Sequence, residues 1–221
     1  MLAKELISEV FPSIKTSESA AKALKYMEVF RVTHLPIVNN TELLGLISDT
    51  DIYDMNLADE PIGAHNLSLI RPFVYLDAHF FEVLEIVNSL NLSLIPVLDY
   101  DDNYMGAITL QDLARRFAEL VGSQHPGGII ELEMHMLDYS LSEIAQIVES
   151  NDAKILGLYV TEGADTSKII VTIKLNRTDI SAILQTFDRY QYTVRGSFAD
   201  NEEVDNMNSD RFEQFMNYLN I

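Results

Sequence analysis

Two short segments of the sequence place a glycine, a hydroxyl residue and a carboxylate at the same spacing. They contain Gly45, Ser48 and Asp51, and later Gly106, Thr109 and Asp112. An ionised carboxylate can accept both hydrogens of a vicinal diol, and a hydroxyl can contact a sugar or phosphate oxygen. A helix that begins at such a segment adds partial positive charge, which favours an anion. The same Ser/Thr-x-x-Asp spacing is also an ordinary helix N-cap signature, which requires no ligand.

The elements that must hold these segments also occur twice, about sixty residues apart. A helix is expected first in each copy, from apolar residues at i, i+4 and i+7: Ala20, Leu24 and Met27, and then Phe80, Leu84 and Val87. Ser17 and Asp77 precede these helices as predicted N-caps. An apolar strand with a proline follows at 35–38 and at 95–98. A polar turn and a second strand lead to the glycine segment, so each copy is predicted to run helix, strand, turn, strand, helix.

With these motifs, residues 1–122 resemble a tandem pair of CBS (cystathionine-β-synthase) domains, with repeats at about 1–61 and 62–122. The family pattern is an apolar-Pro-apolar-apolar strand, a hairpin, and Gly-apolar-x-Ser/Thr-x-x-Asp before a helix, and both copies are complete. The resemblance implies a regulatory module that binds an adenosine-containing ligand between its repeats. The candidate ligands are AMP, ADP, ATP, NAD and S-adenosylmethionine, and no cofactor is required.

The resemblance also implies which residues contact that ligand. Asp51 and Asp112 would accept hydrogen bonds from the ribose diols, and the Ser/Thr hydroxyls would face ribose or phosphate. The purine would lie between the backbone just before the two prolines and the segments at 14–16 and 74–76. The expected nucleotide-binding residues are Thr16, Leu35, Gly45, Ser48, Asp51, Tyr75, Ile95, Gly106, Thr109 and Asp112.

Phosphate contacts have less support in the sequence than ribose contacts. Neither motif contains a cation, and Asp49 lies inside the first motif, where its charge would oppose a phosphate. The nearest candidate cations are Arg31, His34, Arg71, His79, Arg115 and Arg116. A ligand with few phosphates, such as AMP, therefore fits this charge environment better than ATP.

A turn-rich segment at 123–128 predicts a linker to a different unit. Residues 129–199 alternate between strand and helix patterns in the order βαββαβ, which is the ferredoxin-like arrangement. This unit resembles an ACT domain, a regulatory module, and the order CBS, CBS, ACT is similar to the acetoin-utilisation accessory family. The turn at 137–141 lacks the glycine on which ACT ligand sites usually depend. Dimerisation through this unit is therefore expected in preference to amino-acid binding.

The fold class expected for the chain is α/β (α+β), with a CBS pair and a C-terminal ferredoxin-like domain. Residues 200–221 combine an acidic tether with a short amphipathic helix. Docking of this helix on its own protein is the first interpretation, and capture by a partner's groove is the alternative.

The composition restricts the class of partner. The chain has 34 acidic and 15 basic residues, and its formal net charge of -19 would repel nucleic acid and anionic membranes. No apolar run approaches the roughly 20 residues needed to cross a bilayer. The first residues lack the layout of a secretory signal, and cysteine is absent. A cytoplasmic protein is therefore expected.

An enzyme is not expected. The five histidines show no zinc-binding spacing, and there is no glycine-rich phosphate loop. Glu131, Glu133 and His135 share one face of a predicted strand and could serve as ligands or acid–base groups, but an exposed sheet face is the preferred interpretation. The sequence thus favours a homodimeric sensor that reports nucleotide occupancy to an unidentified regulated protein. A ligand-free dimerisation scaffold is the alternative.

Overall fold

The structure, a computed structural model, describes residues 1–8, 11–55, 60–64, 69–163, 165 and 167–199. The chain divides into two compact units, of which the second begins at Ala118. The predicted tether and amphipathic helix at 200–221 lie outside the described residues. Among the described residues, no helix combines the length and the apolar character needed to cross a membrane.

The first unit contains two copies of one arrangement. The first copy comprises α1 (Ala20–Phe30), β1 (His34–Asn39), β2 (Glu42–Ser48) and α2 (Asp49–Met55). The second comprises β3 (Val74–Tyr75), α3 (Phe80–Ser89), β4 (Leu94–Leu98), β5 (Tyr104–Thr109) and α4 (Leu110–Leu120). Each hairpin is antiparallel, with a bulge at Ile37/Val38 in one and at Val97/Leu98 in the other. The predicted order of helix, strand, turn, strand and helix is confirmed in both copies.

The starts of the first helices differ from the prediction by two residues. Ser19 caps α1 by accepting a hydrogen bond from Lys22 N at 3.3 Å, and His79 Nδ1 accepts one from Phe81 N at 3.3 Å before α3. Ser17 and Asp77 are therefore not the caps. Each lies two residues before the extended residue that precedes its helix, Ser19 or His79. The Asp77 carboxylate instead accepts a hydrogen bond from Tyr100. The helix faces are buried nearly as predicted, through Ala20, Ala23, Met27, Phe80, Val83 and Val87.

The segment before each copy packs on the other copy. Ala3 N donates to Ala78 O at 2.9 Å, and Ser8 N donates to Ala107 O at 3.0 Å, so residues 1–8 lie along the second copy. In the first copy, Leu46 N donates to Ile70 O at 2.9 Å and Glu18 O accepts from Ile62 N at 2.9 Å. The two copies thus complete each other and share one apolar core.

The packing of each leading segment on the other copy explains why each motif has a glycine. Gly45 and Gly106 lie at the hairpin bulges with φ of 154° and 145°, a region that side chains rarely adopt. A Cβ on Gly45 would lie 2.7 Å from Ile70 O, and one on Gly106 would lie 2.5 Å from Ile7 Cγ2. Both glycines therefore have a packing role, whereas their assignment as nucleotide contacts stays a prediction.

The second unit has the βαββαβ order that the sequence predicts. Its elements are β6 (Ile129–His135), α5 (Leu141–Ser150), β7 (Ile155–Glu162), β8 (Lys168–Leu175), α6 (Ser181–Arg189) and β9 (Thr193–Phe198). The four strands form an antiparallel sheet in the order β7-β8-β6-β9. Alternate residues of β6 and β8 are buried in a core with α5 and α6, and the residues on the other, open face of these two strands are mostly half-buried. This topology confirms the predicted ferredoxin-like arrangement.

Candidate functional site at the seam between the two copies

The first Ser-x-x-Asp motif forms a reciprocal cap at the start of α2. Ser48 donates to Asp51 Oδ2 twice, from its backbone N at 2.8 Å and from its hydroxyl at 2.7 Å. In return, Asp51 N donates to Ser48 Oγ at 3.1 Å. The motif therefore satisfies the free N–H groups of the helix start without a ligand. Asp51 is exposed, and Ser48 is partly buried.

The second motif has the same cap in a more buried setting. Thr109 Oγ1 donates to Asp112 Oδ2 at 2.6 Å, and Asp112 N donates back to Thr109 Oγ1 at 3.1 Å. Arg115 adds a charged hydrogen bond of 3.3 Å to the other carboxylate oxygen, Oδ1. Thr109 is only 9% exposed. This motif therefore combines a buried hydroxyl with a carboxylate that has a cation beside it.

Both motifs lie at one seam, where the first residues of β1 and β4 meet. Thr33 N and His34 N both donate to Ser93 Oγ at 3.0 Å, so one hydroxyl joins the two copies. The following helices are tied to the same seam, because Asp49 N donates to Thr33 O at 3.0 Å and Leu110 N donates to Ser93 O at 2.9 Å. A ligand bound beside either motif would thus be close to the junction of both copies.

A cavity of about 300 Å³ opens beside the second motif. The first copy contributes Phe30, Arg31 and Val32, and the second contributes Ser93, Thr109, Leu110, Gln111 and Ala114. Its volume is at the lower end of the range for small-molecule sites. The lining combines apolar walls, two hydroxyls and one guanidinium group, which suits a ligand with a flat apolar part, a sugar and an anion.

Comparison with known proteins identifies the duplicated unit. Residues 3–56 and 68–119 each match the family model of the CBS domain. The chain contains a tandem pair of CBS domains. The repeats predicted from the sequence are therefore CBS repeats, and the seam described above is the junction of the CBS pair.

One curated relative is a homoserine O-acetyltransferase from Methanohalobium evestigatum, to which the chain is 30% identical over 122 residues. The alignment covers 52% of this chain but only 24% of the relative, so the chain spans about a quarter of that protein's length. The activity of that relative is therefore not assigned to this chain.

Several solved structures are also similar to the chain. One is a CBS domain pair/ACT domain protein from Thermotoga maritima, 19% identical, covering 54% of this chain and 98% of that chain with a TM-score of 0.46. Another is a CBS domain pair in complex with 5′-methylthioadenosine and S-adenosyl-L-methionine, 26% identical, with 54% and 97% coverage and a TM-score of 0.43. A third is CBSX2 in complex with AMP, 19% identical, with 53% and 96% coverage and a TM-score of 0.46.

The predicted purine contacts fall at two different places in the CBS pair. Leu35 lies in β1, next to the residue that pairs with Ser48, and Ile95 lies in β4, next to the residue that pairs with Thr109. Both are fully buried. Thr16 instead exchanges a hydrogen bond with Asn39 at 3.0 Å, at the far end of β1 from Ser48. Tyr75 likewise pairs with Leu98, at the far end of β4.

Within their own repeats, Thr16 and Tyr75 are thus not brought to the motifs. The reason is that the chain before the first helix of each repeat pairs in parallel with the later half of the proline strand. Residue 14 pairs with Ile37 and residue 74 with Val97, whereas the motifs pair with the start of these strands. The assignment of these two residues to a ligand site stays a prediction.

The candidate cations make different contacts in the structure. Arg71 lies over the Phe73 ring, 5.7 Å from its centroid, and His79 caps α3. Arg115 pairs with Asp112, whereas Arg31 lines the cavity and has no carboxylate partner within the part of the chain that the structure describes. Val32 and Ser93 were missed as lining residues. Their positions next to the start of each proline strand were the signal that could have identified them.

The imidazole of His34 lies at the seam and has a shifted pKa. Burial lowers the pKa of its imidazole, and the nearby carboxylates of Asp49 and Asp51 oppose that shift only in part. His34 Nδ1 also lies 3.3 Å from Ser93 N, which can donate to the neutral ring. The neutral form is therefore the one that fits the seam.

The second unit holds the other group of candidate residues. Glu131, Glu133 and His135 lie on the open face of β6, as the alternation predicts. Glu133 Oε1 accepts a hydrogen bond from Lys168 Nζ at 2.6 Å, which lowers the pKa of Glu133. His135 Nδ1 lies 3.3 Å from Ser167 O. Among the described residues, no group of His, Asp and Glu is arranged to hold a metal ion.

A cavity of about 370 Å³ lies beside Glu133 and His135 and extends to Glu143 and Tyr192. Tyr192 OH donates to Glu143 Oε2 at 2.7 Å. Burial, followed by this contact, raises the pKa of Tyr192. The acidic groups at this cavity are thus largely paired within the protein.

Proposed function

We propose that the CBS pair is a regulatory sensor that binds an adenosine nucleotide with few phosphates, such as AMP, in the cavity beside Thr109. The observation that carries the proposal is the cavity itself, because it joins a CBS motif of one repeat to a cation and an apolar wall of the other. The match of both repeats to the CBS family supports it, since CBS domains are regulatory modules.

Each part of the ligand has a matching group in the proposed site. The Asp112 carboxylate, held against Thr109 at 2.6 Å, would accept the ribose hydroxyls, and Thr109 would stay buried below the sugar. The apolar side chains of Phe30, Val32 and Leu110 would pack against the purine, whose edge the nearby backbone could recognise. Arg31 would contact the phosphate.

Regulation follows from where the proposed site lies. A ligand in the cavity would contact both repeats next to Ser93 Oγ, a hydroxyl that joins them. It would therefore stabilise one arrangement of the two repeats over others, by its difference in affinity for them. We propose that a regulated protein recognises this arrangement and that the sensor acts as a homodimer.

Thermal unfolding with a ligand panel tests this function. AMP at saturation should raise the midpoint of unfolding, because a ligand that binds only the folded state stabilises it. ADP, ATP, NAD and S-adenosylmethionine should be compared at the same concentration, with ATP expected to act less strongly than AMP. Stabilisation by none of the five would contradict the proposal.

A ligand-free dimerisation scaffold is the second candidate. The observation that favours it is the cap geometry, since both motif carboxylates already accept hydrogen bonds from their own repeat. This candidate predicts a stable dimer by light scattering, no response to any adenosine ligand, and an unchanged dimer in Asp51→Ala.

A further inference from the structure

Three matched positions around the two motifs differ in charge between the repeats. Residues before the hairpin turn match at a distance of sixty and residues after it at sixty-one. Three pairs differ in charge: Arg31 matches Asn91, Leu110 matches Asp49, and Arg115 matches Asp54. The second motif thus has two guanidinium groups beside its carboxylate, and the first has three carboxylates and no guanidinium group at these positions.

This difference bears on a phosphate-bearing ligand. A phosphate monoester carries more than one negative charge at neutral pH. Within one small site, physiological salt does not screen out the interaction between charges, because the distances are shorter than its screening length. The second motif therefore attracts such a ligand, whereas Asp49 and Asp54 repel it from the first.

The backbone at Arg31 also distinguishes the two matched positions. Arg31 follows α1 with φ of 53°, and Asn91 follows α3 with φ of 51°. Both are left-handed, a conformation that asparagine adopts more readily than arginine. The first repeat thus has an arginine on the wall of the cavity, at a helix end where the second repeat has the residue that suits the backbone better.

We propose that the two motifs of the CBS pair discriminate by charge, so that the phosphate of an AMP-like ligand binds only beside Thr109, through Arg31. The first motif excludes phosphate-bearing ligands through Asp49 and Asp54. This inference rests on the proposed nucleotide function and specifies which of the two matched sites performs it.

Calorimetric titration of the full chain with AMP and with adenosine tests the inference. The wild type should bind one AMP per chain. Arg31→Asn should lower the selectivity for AMP over adenosine by about tenfold, the effect of one charge-assisted hydrogen bond. Arg31→Lys should restore part of it. The matched control Arg71→Asn removes the same charge away from the cavity and should leave the selectivity unchanged.

The fold should survive this substitution, because asparagine occupies the matched left-handed position at Asn91. Arg31→Asn should therefore unfold at the same temperature as the wild type or higher, which separates a ligand role from a structural one.

The outcomes distinguish the two proposals. Two AMP molecules bound to the wild-type chain, or equal losses for AMP and adenosine in Arg31→Asn, would overturn charge discrimination while the nucleotide function stands. The absence of any AMP binding would overturn both.

Discussion

The two CBS motifs share their backbone geometry and differ in the side chains around it. Each has a reciprocal cap, a bulge glycine under an exchanged segment, and a first helical N–H bonded to the seam. Yet a cavity lined by Arg31 lies beside the second motif, whereas the first motif contains Asp49 and is followed by Asp54 in the same helix. The shared features build the fold, so the motif alone indicates architecture. The cavity and its cation indicate a ligand.

The largest expected difference between the copies is in their glycines. Gly45→Ala should lower the free energy of unfolding by about 3 kcal/mol, because its Cβ would meet the backbone oxygen of Ile70 at a positive φ. Gly106→Ala should cost somewhat less, about 2 kcal/mol, because the Cβ would meet the Cγ2 methyl of the Ile7 side chain and no backbone atom. Urea denaturation of both variants measures this. Equal losses, or a larger loss for Gly106→Ala, would show that the exchanged segments are not packed as described.

The caps should differ by a smaller amount. Thr109→Val should cost about 2 kcal/mol, because it removes a nearly buried cap and leaves the Asp112 carboxylate without its closest donor. Ser48→Ala should cost about 1 kcal/mol, because water can replace the lost contacts of the exposed Asp51. The same denaturation experiment compares them. If Ser48→Ala is the more damaging change, the first motif is more buried than the structure indicates.

The smallest effect concerns pH and the imidazole of His34 at the seam. As pH falls through the ordinary His pKa of 6.5, the unfolded chain takes up a proton at His34, but the folded chain resists it because burial lowers the pKa there. Stability should therefore decline from pH 7 toward pH 5. In the second repeat the matched residue is Leu94, which cannot titrate.

The variant His34→Leu should reduce the slope of stability against pH in this range, whatever its stability at pH 7. Thermal unfolding at several pH values measures the slope, and His125→Leu in the other unit provides a control. A slope that is unchanged in His34→Leu would show that the imidazole of the seam does not resist protonation.

Much of the fold of the CBS pair can be predicted from local patterns in the sequence. The apolar spacing in α1 and α3, the proline strands and the one-residue difference between the hairpins all predict the repeat correctly. The exchange of the leading segments was not predictable in this way, because the pairing of Ser8 with Ala107 joins residues that no periodicity connects.

The site was predictable only where a side chain acts within its own repeat. Ser48 and Asp51 come together because they are three residues apart at a helix start, and this spacing is visible in the sequence. The position of Thr16 depends on the pairing of residue 14 with Ile37, which no local spacing in the sequence shows, and its assignment to the ligand site stays a prediction. Arg31 is one of six candidate cations in the sequence, and only the cavity distinguishes it from the others.

The most direct test of a nucleotide site beside Thr109 is a calorimetric titration of AMP into two matched variants, Asp112→Asn and Asp51→Asn. Both substitutions keep a side chain that can accept a hydrogen bond in the cap, so both proteins should fold. Asp112→Asn should weaken AMP binding by about thirtyfold, through loss of charged hydrogen bonds to the ribose, and Asp51→Asn should change it by less than about threefold. Equal effects of the two substitutions, or AMP binding that is unchanged in Asp112→Asn, would rule out a nucleotide site beside Thr109.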